Sequence, residues 1–375
     1  MNTIDPLQKL RTIINSIDKK IIDLIKKREL ISIEIAKIKQ ENQKPVKDIN
    51  REKQLLDNVI TLAKERKLND QMILNIFKII VKHSVLIQEL FLKKNNRYNC
   101  NKLFYLGPEG SYSHIAAIKY TTIYLKNYMM YACTTFIDVI NKTESNPNSY
   151  AILPIENTCS GSIHEIYDIL QNTNLFIIDK INIKINHCLL GLKNSKIEDI
   201  TTIYTHQQPL IQSNKFIQLY PHWKIKYTNS SSDAMQSILN HQNIKYAALG
   251  NEKSGKVYCL QILKKNINNQ INNKTCFIIL NNKLNIIKEQ NNVRTKLILY
   301  VKPYSNYINN IKLIFTKLKL KIIKLISRPN INDPSLKVIY ITVLANLYLE
   351  THKNILNNLN NIAVKIKILG CYINK

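Results

Sequence analysis

Apolar residues recur at helical spacing from the start of the chain: Leu7, Leu10, Ile14, Ile17, Ile21, Leu24, Ile25, Ile31, Ile35 and Ile38, with no Gly or Pro between them. The pattern predicts one helix to about Gln40, long for a globular helix. Pro45 marks a turn, and further helices are predicted over Ile49–Arg66 and Asp70–Leu92. Three helices, one so long, leave the first helix's apolar stripe uncovered, and a second chain is its natural cover.

Residues 93–101 (KKNNRYNCN) read as a polar linker. Beyond it, strand-like runs at Lys102–Leu106, Tyr150–Leu153, Phe176–Ile178, Thr202–Tyr204 and Tyr246–Leu249 alternate with helical runs such as His114–Tyr120 and Ser162–Leu170. That is an α/β pattern. A second polar linker covers Asn281–Asn292. The tail reads β-α-β-β-α-β, with strands at Lys296–Val301, Lys321–Ile326, Val338–Leu344 and Val364–Tyr372 and helices at Tyr307–Leu318 and Thr351–Asn361. That order describes a ferredoxin-like unit.

At 375 residues the chain has room for several cores. Its net charge of +28 would suit nucleic acid, but the lysines are spread along the chain and no nucleic-acid-binding motif accompanies them. A basic nucleic-acid-binding protein on a decayed enzyme scaffold is the alternative. The seven Cys are scattered without a CxxC pair, so neither disulfides nor a metal site is expected, which fits a cytoplasmic protein. No signal peptide or membrane-length apolar run is evident, and no cofactor motif is present: the glycines do not spell GxGxxG.

Arginine changes the picture by its scarcity. There are seven: Arg11, Arg28, Arg51, Arg66, Arg97, Arg294 and Arg328. Arg is needed where a planar fork must grip a carboxylate. Arg11, Arg28 and Arg51 share the first helical stretch with Lys39, Asp48 and Glu52. Ser84 and Gln88 stand at i, i+4 further on. Arg11 and Arg28 are roughly 25 Å apart along one helix, so both can hold one small molecule only if Arg11 comes from a second chain. The set has no nucleophile–base pair. It suits a reaction that needs only orientation and electrostatic stabilisation of a small polyanion.

Residues 1–92 resemble the AroQ-type chorismate mutase family, in which Arg11, Arg28, Lys39, Asp48, Arg51, Glu52, Ser84 and Gln88 all fall on active-site positions with the family's residue types. The resemblance implies a domain-swapped helical dimer that rearranges chorismate to prephenate. Arg11 and Arg28 would clamp the carboxylates, and Lys39 and Gln88 would donate to the ether oxygen. Asp48, Glu52 and Ser84 would hold the ring hydroxyl and a carboxylate, with Arg51 setting the polar shell.

The middle module carries Gly107–Ser113 (GPEGSYS), Pro154–Gly161 (PIENTCSG), Thr205–Pro209 (THQQP) and Asn273–Phe277 (NKTCF). The first two read as strand-to-helix turns rich in hydroxyls and N–H groups, suited to an anion. Together these motifs resemble prephenate dehydratase over residues 102–281. The resemblance implies two α/β lobes of the periplasmic-binding-protein kind and loss of CO₂ and water from prephenate in the cleft, giving phenylpyruvate. Thr275 would assist departure of the ring hydroxyl, and Ser113, Asn157, Thr158, Ser160 and His206 would line the cleft. The family reads Thr-Arg-Phe where this chain has Thr275-Cys276-Phe277, and there is no Arg between Arg97 and Arg294. Substrate carboxylates there would be met by backbone N–H groups, hydroxyls and Lys.

Residues 294–375 resemble an ACT regulatory domain, which in this family binds phenylalanine. The usual ESRP is here Ile326-Ser327-Arg328-Pro329, and the usual GALV aligns with Asn306-Tyr307-Ile308-Asn309. Ser327, Arg328 and Asn306 are the regulatory candidates. The altered motifs imply a domain that folds and pairs subunits but senses phenylalanine weakly. The expected protein is thus a three-module enzyme, isomerase and lyase, acting on two small molecules as a homodimer or larger, with no cofactor, nucleic acid or membrane. The related mutase–prephenate dehydrogenase fusion would need the missing dinucleotide motif.

Overall fold

The computed structural model describes residues 6–42, 46, 48–94, 101–125, 128–285, 287, 292–304, 306–330 and 332–374. The turn at Pro45 and most of the first linker, including Arg97, lie outside the described residues. The chain divides into two compact units, Met1–Cys100 with Asn127–Met129, and Asn101–Lys126 with Met130–Lys375.

The first unit is helical: α1 (Pro6–Glu41), α2 (Ile49–Glu65) and α3 (Asp70–Lys94). Asp48, in extended conformation, starts α2 by accepting the Arg51 N–H at 3.0 Å, satisfying an amide that has no partner within the helix. α3 packs against both α1 and α2. The buried apolar set of this unit is small and includes Ala36, Val59, Ala63 and Leu74. Most of the α1 stripe is exposed, with Leu10 at 59%, Ile17 at 50% and Leu24 at 66%, so the predicted periodicity has formed its helix without a cover from this chain.

In chain order the second unit has strands β1 (Asn101–Leu106), β2 (Tyr128–Cys133), β3 (Ser149–Asn157), β4 (Gly161–Ser162), β5 (Phe176–Lys184), β6 (Cys188–Gly191), β7 (Thr202–Thr205), β8 (Lys224–Tyr227), β9 (Tyr246–Gly250), β10 (Gln261–Lys264), β11 (Lys274–Asn281), β12 (Val293–Val301), β13 (Ile322–Pro329), β14 (Lys337–Val343) and β15 (Lys365–Ile373). Its helices are α4 (Tyr112–Tyr124), α5 (Phe136–Glu144), α6 (His164–Asn172), α7 (Gln207–Gln212), α8 (Asn214–Ile217), α9 (Ser231–His241), α10 (Glu252–Val257), α11 (Tyr307–Lys317) and α12 (Lys353–Asn360).

The first lobe is a sheet in the order β2-β1-β3-β11-β5, with β4 hairpinned onto β3. The chain leaves it after β5, builds a second sheet ordered β10-β6-β9-β7-β8, and returns as β11, antiparallel between β3 and β5. Two crossings therefore join two lobes. The lobes meet at the β1–α4 turn, where Gly110 (φ +89°) offers its carbonyl to Asn251 Nδ2 at 2.8 Å and to the Ser254 hydroxyl. A Cβ on Gly110 would lie 3.1 Å from the Ser254 backbone, so the backbone conformation and the close approach both call for glycine.

The tail is a βαββαβ unit with sheet order β13-β14-β12-β15, all neighbours antiparallel, as its pattern predicts. One face packs on α11 and α12 through Leu297, Leu299, Ile311 and Phe315. The other shares a core with the first lobe, joining Ile298, Tyr300, Val338 and Tyr340 to Leu153, Ile166, Tyr167 and Leu170. Gly370 (φ +133°) sits on β15 against β5, where a Cβ would come 2.2 Å from the Ile177 carbonyl oxygen.

Candidate active sites

In the helical unit, Lys39 near the C-terminus of α1 donates to Gln88 Oε1 on α3 at 3.2 Å and to the Val46 carbonyl. Gln88 is buried. Burial pushes the Lys39 pKa down, and the carboxylates of Asp48 and Glu52 pull it partly back. Arg28 has a buried Nε with no hydrogen-bond partner among the described residues, and a buried donor left unsatisfied costs free energy. Beside it lies a cavity of about 280 Å³ lined by Ile25, Arg28, Glu29, Ile79, His83 and Ser84. Arg28 and Ser84 thus share one cavity, while Lys39 meets Gln88 and feels the charges of Asp48 and Glu52 at the start of α2. Arg51 is exposed, and the contact it makes with Asp48 is through its backbone. Arg11 stands exposed on α1, seventeen residues and roughly 25 Å before Arg28. Glu29 and His83, whose Nε2 lies 3.8 Å from Glu29 Oε1, also reach this cavity. No motif announces them.

The other constellation lies on β3 and β11. Their register sets Asn157 opposite Thr275 and Glu156 opposite Cys276. Asn157 Nδ2 donates to Thr275 Oγ1 at 2.9 Å and to Asn273 Oδ1 at 2.7 Å. Its Oδ1 accepts from the Cys159 and Ser160 N–H groups at 2.8 and 3.0 Å and from the Ser160 hydroxyl at 3.3 Å, pinning the β3–β4 turn. Thr158 is tied to the Asn272 carbonyl and the Lys274 N–H through its own hydroxyl. Asn273 Nδ2 donates to Gln212 Oε1 at 2.9 Å, and the buried His187 meets the same oxygen at 2.9 Å. Burial pushes the His187 pKa down, opposed by that bond to Gln212. Ser113 lies buried in the first turn of α4. His206 caps α7, accepting the Gln208 N–H on Nδ1 at 3.3 Å. Gln212, His187, Asn251 and Ser254 carry no signal in the sequence, because only the fold brings them to this joint.

The substitution at Cys276 reads differently in three dimensions. Successive strand residues face opposite sides of a sheet. Thr275 turns to Asn157, while Cys276 packs against the core shared with the C-terminal unit. The family's Arg is therefore missing from the far face of the sheet, not from beside the Thr275 hydroxyl.

In the C-terminal unit, Arg328 forms a two-pronged pair with Asp168 of α6, Nε to Oδ1 at 2.8 Å and Nη2 to Oδ2 at 2.7 Å. Ser327 is exposed, and Ile326 packs on the shared core. Asn306 adopts φ +68°, in the left-handed region that Asn tolerates better than most residues, and it precedes α11 without a side-chain cap.

Among the described residues no group of three metal-ligating side chains comes together, and no helix is long and apolar enough to cross a membrane. Residues 10–89 match the model of the chorismate mutase type II family and residues 103–285 that of the prephenate dehydratase family. A bifunctional chorismate mutase/prephenate dehydratase of Buchnera aphidicola from Schizaphis graminum is 42% identical over 98% of this chain and 96% of its own. The Escherichia coli K12 protein of the same description is 36% identical over 99% and 97%. The crystal structure of an Arthrobacter aurescens prephenate dehydratase in complex with L-Phe superposes with a TM-score of 0.65, at 18% identity, over 73% of this chain and 90% of that one. With both family models matched in order and relatives alike over nearly their whole length, the chain belongs to the bifunctional chorismate mutase/prephenate dehydratase family.

Proposed function

We infer that this chain carries out two successive steps of phenylalanine biosynthesis, rearranging chorismate to prephenate in its helical unit and converting prephenate to phenylpyruvate in its two-lobed module. The observation that carries the reading is the presence of both constellations, Lys39 bonded to Gln88 with the buried Arg28 Nε in the same unit, and Thr275 bonded to Asn157.

In the first step no group on the protein need react. Arg28 and a second copy's Arg11 hold the two carboxylates so that the ends of the breaking ether and the forming carbon–carbon bond meet. Lys39 faces the ether oxygen, where negative charge grows as the bond stretches. Gln88 turns its carbonyl to Lys39, which leaves its amide N–H groups as the donors for that oxygen. Asp48, Glu52 and Ser84 hold the ring hydroxyl end, and Arg51 tunes the surrounding charge. The exposed α1 stripe and the distance from Arg11 to Arg28 support a dimer in which the long helices cover each other.

In the second step the carbon–carboxylate bond breaks and its electrons enter the ring as the 4-hydroxyl leaves. Thr275 donates to that departing oxygen. Asn157, Thr158 and Ser160 form the rim, with Ser113 and His206 on the turns that face the cleft. Water and CO₂ leave, and the ring becomes aromatic. The lyase module spans 102–281 and the mutase 1–92.

The βαββαβ unit, 294–375, serves as an ACT-type domain with weakened phenylalanine response. Three features support this: Asn306 puts a side chain where the family has Gly, Ile326 packs into a shared core, and Arg328 is engaged by Asp168. The free thiols of the described cysteines suit a cytosolic enzyme. Nothing in the fold or the relatives supports nucleic-acid binding. Supplying chorismate to the purified chain tests the reading: prephenate and then phenylpyruvate should appear, and titrated phenylalanine should leave the second rate nearly flat.

A further inference from the structure

The residue missing from the Thr-Arg-Phe motif leaves a carboxylate to account for. Glu156 lies opposite Cys276 across the β3–β11 pair, on the face of the sheet turned to the C-terminal unit. An Arg at 276 would stand beside it as a neighbour of opposite charge. Here the cation comes from elsewhere. Lys324 Nζ, on β13, pairs with Glu156 Oε1 and also donates to Ser162 Oγ at 3.2 Å. Ser162 is the β4 residue paired with Glu156. One ammonium therefore clamps both stems of the hairpin whose turn carries Asn157, Thr158 and Ser160. The neighbours of Lys324 hold the same face: Ile326 packs on the shared core and Arg328 pairs with Asp168.

Lys180 and Lys296 interact electrostatically with the same group, and burial pushes the Cys276 thiol up while both lysines pull it down. Cys276 faces this cationic set where an Arg would have stood.

The structure assigns Lys324 as a positioning residue for the dehydratase reaction: from the C-terminal unit it supplies Glu156 with the counter-charge that Cys276 cannot, and so sets the hairpin that places Asn157 against Thr275. The inference rests on the reading of Thr275 and Asn157 as the dehydratase centre. It makes the C-terminal unit part of that centre's support as well as a regulator.

A double-mutant cycle on the full chain tests it, with prephenate as substrate and thermal unfolding of each variant alongside. Lys324→Met should lower dehydratase kcat about tenfold with KM within twofold, since a small misplacement of the reacting groups costs rate more than binding. Cys276→Arg restores the motif, and in that background Lys324→Met should change kcat by less than twofold. A merely structural lysine would give the same loss in both backgrounds. If Lys324→Met alone does not fold, comparing Cys276→Arg with the double variant still decides the matter. Equal losses in the two backgrounds, or an unchanged kcat in folded Lys324→Met, overturn the proposal. Thr275→Ala, assayed in parallel, tests the underlying reading separately: if it keeps full rate, the assignment of the centre fails whatever the cycle shows.

Discussion

Asn157 donates its side-chain amide to the Thr275 hydroxyl across 2.9 Å, and the two residues stand opposite each other in the β3–β11 register. A hydroxyl that accepts this bond keeps its own proton to donate. Thr275→Ala is therefore expected to lower dehydratase kcat by about 10²–10⁴, Thr275→Ser to keep much of the rate, and Asn157→Ala to fall between them. Phenylpyruvate absorbance reads all three.

Lys39 must be an ammonium to stabilise the ether oxygen. Lys39→Ala should lower mutase turnover by about 10²–10³ and leave prephenate turnover unchanged. Burial holds the Lys39 pKa below 10.5, so mutase activity should decline with rising pH before a free lysine would deprotonate. Glu52→Gln removes a charge that raises this pKa, and the alkaline limb should move to lower pH. A pH profile of kcat/KM that is the same in both proteins would contradict this assignment.

The exposed stripe of α1 should be an interface. Ile17, half exposed in a single chain, is expected to be covered in the dimer. Ile17→Asp should shift the sedimenting species towards monomer and lower mutase activity more than about tenfold, since an uncompensated buried charge is costly, while dehydratase kcat stays within twofold. A variant that remains dimeric with full mutase rate would contradict it.

Lys296 offers a stability test. Burial lowers its pKa to about 8, the Lys324 and Lys180 charges pushing the same way against Cys276 and Glu156. Between that value and the ordinary lysine range the unfolded chain binds the extra proton, so stability rises with pH there. Below about 8 the full penalty is present, on the order of 3 kcal/mol. Lys296→Met should therefore raise Tm at pH 7, and the gain should shrink towards pH 10.

Much of this was legible in the chain. The α1–α3 boundaries follow from apolar spacing and the Asp48 cap, and the tail's strand order from its β-α-β-β-α-β pattern. Strands came out longer than their apolar runs, as with β3, which extends from the Tyr150–Leu153 run to Asn157, because pairing with β11 and β4 carries polar residues into the ladder. Of the motif residues, Asn157, Thr158, Ser160, Asn273 and Thr275 share one hydrogen-bond network. Sequence could not show that Cys276 faces away from Thr275, because strand alternation has to be anchored by register. Nor could it show Gln212 meeting both Asn273 and His187, or Lys324 meeting Glu156, contacts between residues far apart in the chain. Nor could it show that Arg328, a regulatory candidate, pairs with Asp168 of α6.

The most direct test of two separate centres in one chain is a paired assay of the wild type, Lys39→Ala and Thr275→Ala, each given chorismate and, separately, prephenate. Lys39→Ala should fail on chorismate but make phenylpyruvate from prephenate at the wild-type rate, and Thr275→Ala should turn chorismate into prephenate that accumulates. Loss of both activities in either folded variant would contradict two separate centres.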